Sequence, residues 1–295
     1  MTKNDSPLSL WWLAVRPRTL PAAAAPVAVG TAVAIADGVL AMGPALAAFL
    51  GALLLQIGVN LANDYFDAKN SIDSEERLGP VRVTQSGLIA PARVKAAMVL
   101  CLVLASLVFL YLTAVGGTAL FLAGFASVLA ALAYSGGPYP LASHGLGELF
   151  VFLFFGLVAV CGTYWVQALD LTSFVVAASL PPGFLVSAIM VVNNLRDRQT
   201  DAKAGKHTLA VRLGGSRTLL LYRLLLAISY AVPVCLMVGS ATGISILLPF
   251  LTAPMAWSLG REIGTVTGSA LNELLARTAK LSLAFCLLFS LGIAL

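Results

Sequence analysis

Long apolar runs alternate with polar connections along almost the whole chain. A helix needs about 20 residues to cross a hydrocarbon core about 30 Å thick. Runs that meet this length fall near residues 20–36, 44–61, 94–114, 117–134, 147–168, 172–192, 217–238, 241–259 and 276–295. The pattern predicts an all-α, polytopic membrane protein of nine transmembrane helices. A shorter run at residues 8–15, carrying Trp11 and Trp12, predicts an interfacial helix with its indoles at headgroup depth. No Pro/Gly/Ser linker separates soluble units, so residues 1–295 read as one membrane domain.

Charge tests the count, because Lys and Arg should collect in alternate connections. All 18 basic residues do: they precede the first run, lie between the second and third or between the sixth and seventh, enter the third, seventh or ninth run at its start, or follow the eighth. The opposite connections carry only Asp37 and Asp170. This places the N-terminus and the long loops in the cytoplasm and the C-terminus across a plasma (inner) membrane. No cleavable leader is expected, since the first long run follows Arg16-Pro17-Arg18 and is itself of spanning length.

Composition narrows the classes further. The chain is 59% hydrophobic and 11% charged, against about a quarter charged in an ordinary soluble domain. A net charge of +5 is explained by topology signalling and attraction to anionic lipid, without nucleic acid. Cys101, Cys161, Cys235 and Cys286 each fall within or at the edge of an apolar run without CxxC spacing, and so read as small packing residues.

Two polar connections, about residues 62–93 and 193–216, are long, and each opens on an Asn/Asp pattern. The placement suggests parallel pseudo-repeats, about 20–134 and 147–259, with the ninth helix closing the bundle. If the second helix continues past the core, Asn60, Asp64 and Asp67 stand at i, i+4 and i+7, within about 60° of one face. Asn193, Asp197 and Asp201 follow at i, i+4 and i+8. Helix capping calls for one acceptor per helix start and does not explain a repeated pattern at helical spacing.

Carboxylates beside a membrane core are costly unless something cationic binds them. Oxygen ligands without His or Cys favour Mg²⁺, which takes one or two carboxylates plus substrate phosphates. Two such clusters facing each other would hold a diphosphate through bridging Mg²⁺, while Arg77, Arg82, Arg196, Lys203 and Lys206 neutralise the remaining charge. A secondary transporter would instead carry its coupling carboxylates near the bilayer midplane, where this chain has almost none. A scaffold without chemistry would tolerate loss of Asp64 and Asp197.

Several segments together resemble the UbiA superfamily of intramembrane aromatic prenyltransferases, and within it the 1,4-dihydroxy-2-naphthoate polyprenyltransferase branch. They are Arg16-Pro-Arg-Thr-Leu-Pro21, Asn60-Leu-Ala-Asn-Asp-Tyr65, Gly79-Pro-Val-Arg82 with Gln85-Ser-Gly87, Gly145-Leu-Gly-Glu148, and Asn193-Asn-Leu-Arg-Asp197 running to Gly205-Lys-His-Thr-Leu-Ala210. The resemblance spans almost the whole chain and implies a ring-like nine-helix bundle under polar cap loops. It implies that Asp64, Asp67, Asp73, Asp197 and Asp201 hold two Mg²⁺ ions on the diphosphate of an allylic polyprenyl donor. The electron-rich ring of 1,4-dihydroxy-2-naphthoate then captures the allylic cation with loss of carbon dioxide, giving the demethylmenaquinone precursor of menaquinone.

Within that frame Asn60, Asn63 and Asn193 would hydrogen-bond the diphosphate or orient the aspartates. Tyr65, Phe66, Tyr134 and Tyr139 would offer π faces to the cation. Glu148 would orient the acceptor or act as a base, and Gln85, Arg82 and His207 would contact acceptor or diphosphate. Other acceptors in the superfamily, such as 4-hydroxybenzoate or homogentisate, are the alternative.

Overall fold

The computed structural model describes residues 6–69, 78–240 and 242–295. It opens on an interfacial helix α1, Pro7–Val15, whose N-cap Ser6 accepts a hydrogen bond from the Ser9 amide. The first span, α2, is Leu20–Ala36, as the apolar pattern predicts. Next come α3 (Met42–Lys69), α4 (Pro91–Gly116), α5 (Thr118–Ser135), α6 (Gly147–Ala168), α7 (Ser173–Lys203) and α8 (Leu209–Gly239). A split helix at residues 244–262, α9, and α10 (Leu271–Ala294) complete nine spanning segments among the described residues.

Two of these helices outrun the expected spans, and the excess carries the polar motifs. At about 1.5 Å per residue, the 28 residues of α3 reach about 42 Å, so roughly the last eight clear a core about 30 Å thick. Those residues, 62–69, include Asn63, Asp64 and Asp67. The second motif likewise lies on α7, which continues to Lys203 instead of ending near Val192. Both motifs therefore stand on rigid helix where long loops were expected to begin. Asp73 and Arg77 lie outside the described residues.

α9 departs from the pattern in the other direction. Its first nine residues, Ile244–Thr252, form a 3₁₀ helix containing Pro249, and ten α-helical residues, Ala253–Glu262, follow. A 3₁₀ helix rises about 2.0 Å per residue, so nine such residues and ten α residues together span about 33 Å. Among the described residues, eight helices are long and apolar enough by themselves to span a membrane. This stretched segment is the ninth.

The helices pack around three buried apolar clusters, the smallest of which, Val27, Ala48, Leu112, Leu120 and Val166, joins α2 and α6 to α3, α4 and α5. The largest buried apolar cluster draws on α2, α6, α7, α8, α9 and α10, with Tyr222, Phe285 and Phe289 at its centre. A second cluster joins α1, α3, α4 and α5 to Val83 and Ile89 of the connection after α3. α10 packs on α2 and on α7, which closes the ring. Its fit against α9 is tight: the Ser245 hydroxyl donates to the Gly292 carbonyl at 2.8 Å. A Cβ at position 292 would lie 2.2 Å from the Ser245 carbonyl oxygen, so only glycine fits. α4 turns Val99, Leu100, Val103, Leu107 and Leu110 outward, as a lipid-facing helix should.

Polar contacts separate the two ends of the bundle. At one, Tyr164 donates to Asp37 at 2.6 Å, Trp165 donates to the Gly116 carbonyl, and Gln167 accepts from the Ala41 amide. At the other, Arg82 meets Asp67, Arg196 meets Asn272, Arg223 donates to the Gly260 carbonyl, and Arg277 meets Glu262. The basic ends predicted from charge alone thus meet one another in space.

Candidate active site

The first motif is built around a turn that follows it. Residues 83–87 make one helical turn closed by the Leu88 amide on the Val83 carbonyl and the Gly87 amide on the Thr84 carbonyl. That pair of bonds is a Schellman ending, and it needs a left-handed residue, here Gly87 at φ 66°. The other end of the turn has amides with no partner inside it. Asp64 supplies the acceptors: its two carboxylate oxygens take the Val83 and Thr84 amides at 3.0 and 2.8 Å. A carboxylate on α3 thus caps a turn nineteen residues downstream, and Asp64 is only 1% exposed. Arg82, entering the turn, donates to Asp67 at 2.7 Å. Capping and ligand binding are compatible, since an ionised carboxylate has about four acceptor positions.

The second motif is tied through side chains. The buried Arg196 guanidinium holds both oxygens of Asp197 in a fork, reaches Asn193 Oδ1 at 2.9 Å, and donates through Nη1 to Asn272 Oδ1 at 2.8 Å. α7 then ends on its own Schellman motif: the Lys206 amide bonds the Asp201 carbonyl and the Gly205 amide bonds the Ala202 carbonyl, with Gly205 at φ 73°. The same reversal brings Lys206 Nζ to 3.5 Å from Asp201 Oδ1. The segment Gly205-Lys206, noticed first as part of a resemblance, therefore has a local geometric role.

The two motifs converge. Asp201 lies within coulombic reach of Asp197 and of Asp67 on the other motif helix. Tyr134 is in reach of both Glu148 and Asp67, and its hydroxyl meets Met190 Sδ at 3.3 Å. Glu148 is buried: its Oε1 accepts from Asn194 at 2.8 Å, its backbone carbonyl accepts from Ser187, and its Oε2 has no hydrogen-bond partner among the described residues. Asn63 accepts from Ser135, which ties α3 to the end of α5.

The remaining expected site residues make other contacts or are exposed. Asn60 is committed to the entry of the chain: its amide donates to the Val15 carbonyl and to Thr19 Oγ1, both at 2.9 Å. Tyr65 and Phe66 pack on each other at 5.2 Å and against the α3–α4–α5 cluster. Tyr139 is exposed and stacks on His144. Gln85, Lys203 and His207 are exposed, His207 joining the 136–146 connection through its amide on the Ser143 carbonyl. The structure adds Asn194, Ser135, Ser187 and Asn272. Asn194 stood within a quoted motif without a role, whereas the other three had no sequence signal: Ser135 and Asn272 are lone polar residues at helix ends, and Ser187 is a lone serine within α7.

A metal fits this donor set in one particular way. Among the described residues no three His, Cys, Asp or Glu side chains gather tightly enough to hold an ion by themselves. Mg²⁺ is the ion whose habit agrees with that, since it binds one or two carboxylates and completes its shell with water and phosphate oxygens.

The all-helical ring with two facing aspartate motifs at its polar end is the architecture of an intramembrane prenyltransferase, and the chain matches the UbiA prenyltransferase family over residues 23–291. It belongs to that family. The chain is 43% identical over 230 residues to the 1,4-dihydroxy-2-naphthoate octaprenyltransferase of Mycobacterium tuberculosis, covering 78% of each protein. It is 38% identical over 309 residues to the protein of the same name from Escherichia coli K12, covering 100% of this chain and 98% of that one. Its fold is similar to that of a UbiA homolog from Archaeoglobus fulgidus bound to GPP and Mg²⁺, with TM-score 0.66 and 16% identity over 95% of this chain and 99% of that one.

Proposed function

We propose that this protein transfers a polyprenyl group from its diphosphate to 1,4-dihydroxy-2-naphthoate, with loss of carbon dioxide, in menaquinone biosynthesis. The observation that carries the reading is the convergence of Asp67 and Asp201, from two separate helices, at one polar end of the ring. Whole-length relatives that bear this activity in their names support it.

Asp67, Asp197 and Asp201 face the diphosphate, with Asp64 setting the turn beside them and Arg82 and Lys206 supplying positive charge. Mg²⁺ held by these carboxylates would stabilise the leaving diphosphate. Heterolysis of the allylic C–O bond sends its electron pair to the diphosphate and leaves an allylic cation. Tyr134, the one expected aromatic that the fold brings beside Glu148 and Asp67, offers it a π face.

The naphthoate ring attacks through the carbon that bears the carboxylate. The pair from the C–CO₂⁻ bond then returns to the ring as carbon dioxide leaves, so no ring proton has to be removed. Glu148 accordingly acts on an acceptor hydroxyl through Oε2 while Asn194 holds Oε1. Apolar helix walls keep water from the cation. The charge asymmetry supports a cytoplasmic position for this end.

The test is prenyl transfer by the purified protein in detergent, given one donor and each acceptor in turn, with products identified by mass. The expected result is a decarboxylated naphthoate product that disappears with a chelator and returns with Mg²⁺. Product from 4-hydroxybenzoate or homogentisate alone would refute the acceptor, and no diphosphate release with any acceptor would refute the enzyme.

A further inference from the structure

We infer that Asn272, in the first turn of α10, is a positioning residue that clasps the two halves of the diphosphate site together; the inference rests on the function proposed above. Its side-chain amide makes two bonds of opposite sense. Oδ1 accepts from Arg196 Nη1 at 2.8 Å, and Nδ2 donates to the Leu78 carbonyl at 2.9 Å. The partners fix the orientation of the amide, because a guanidinium can only donate and a carbonyl can only accept.

Each bond leads to a different motif. On one side Arg196, with its side chain 2% exposed, grips both carboxylate oxygens of Asp197 and the amide oxygen of Asn193. On the other, Leu78 stands four residues before Arg82, which pairs with Asp67, and five before Val83, which is capped by Asp64. α3 and α7 belong to separate apolar clusters. Asn272 ties the segment that leads into the turn after α3 to the guanidinium on α7.

The physics of the clasp lies in what it prevents. Without Asn272 Oδ1, a buried guanidinium N–H loses its acceptor and Arg196 can reorient, carrying Asp197 with it. Without Nδ2, the irregular segment leading to Arg82 loses its tether to α10. Either change moves carboxylates that must present oxygens at fixed spacing to the phosphate-bound cations. Residues that orient metal-facing groups in this indirect way typically cost about 10–100-fold in affinity when mutated.

The experiment measures binding of magnesium pyrophosphate to the full-length protein by calorimetry, without turnover, alongside thermal melting. Asn272→Ala should weaken binding about tenfold or more. Asn272→Asp is the sharper variant, since its carboxylate keeps an acceptor for Arg196 but faces the Leu78 carbonyl with no donor. It should also weaken binding several-fold and raise hydrogen exchange across residues 78–90. Thr278→Val, which removes the buried Tyr222–Thr278 bond of the same helix, should lower the melting temperature and leave pyrophosphate affinity unchanged. Unaltered binding by Asn272→Asp, or an equal loss in Thr278→Val, overturns the clasp alone. Absence of binding by the unmodified protein overturns the diphosphate reading and the clasp with it.

Discussion

The two aspartate motifs look alike in sequence and are held in different ways. Asp64 is satisfied by backbone amides of a turn it caps, whereas Asp197 is satisfied by the side chain of its own neighbour, Arg196. Backbone donors survive every substitution except proline and do not swing away with a side chain, so the first motif is a structural joint as well as a ligand candidate. A guanidinium can be replaced, and its charge must be balanced wherever it is buried. The same residue type therefore carries different liabilities on α3 and α7.

The largest expected effect on stability follows from the second motif. Asp197→Ala strands the buried Arg196, and removing one partner of a buried ion pair costs about 3–5 kcal/mol. The double variant Arg196→Met/Asp197→Ala should recover much of the lost melting temperature while prenyl transfer stays down by about 10²-fold or more. Recovery of activity together with stability would mean that Asp197 serves only to neutralise Arg196.

A smaller loss is expected at the first motif, and no second substitution should rescue it. Asp64→Asn keeps one acceptor but turns an NH₂ group toward a backbone amide, at a cost of about 1–3 kcal/mol. Hydrogen exchange at Val83 and Thr84 should rise sharply, with prenyl transfer falling in parallel. If exchange at those amides does not change, the cap is not what holds the turn.

The least effect should come from the glycines that close the two Schellman endings. Gly87→Ala and Gly205→Ala each force a side chain into a left-handed conformation, at about 1–2 kcal/mol. Loosening Gly205 should weaken pyrophosphate binding through Lys206, and loosening Gly87 should act through the Asp64-capped turn. Identical binding losses would blur the contrast between the motifs; a larger loss at Gly205 would sharpen it.

Much of this organisation was legible because membrane thickness imposes a length on each apolar run and lipid imposes a charge rule on each connection. α2 runs over the predicted residues, Leu20–Ala36. α9 was less legible, since a 3₁₀ start crosses the core with fewer residues than an α-helix of equal reach. The helical extensions of α3 and α7 were conditional in the sequence, where polar residues at the end of a run read equally as loop. Asp64 capping a turn nineteen residues on had no local signal, because the partner is backbone and any residue supplies it. Asn272 was invisible for a similar reason: its partners are 76 and 194 residues away, and a lone Asn near a helix start is ordinary.

Because α10 packs on α2, the first and last spans of the ring are neighbours, although nearly the whole domain separates them in the order of synthesis. A nascent chain holding α2 to α9 would already own every aspartate of the site, yet it would lack Asn272 and the helix that seals the gap. Until α10 is inserted, the half-built ring remains open sideways to the bilayer. Ring closure and the two Asn272 contacts that join the motifs therefore both depend on the last segment of the chain to be made.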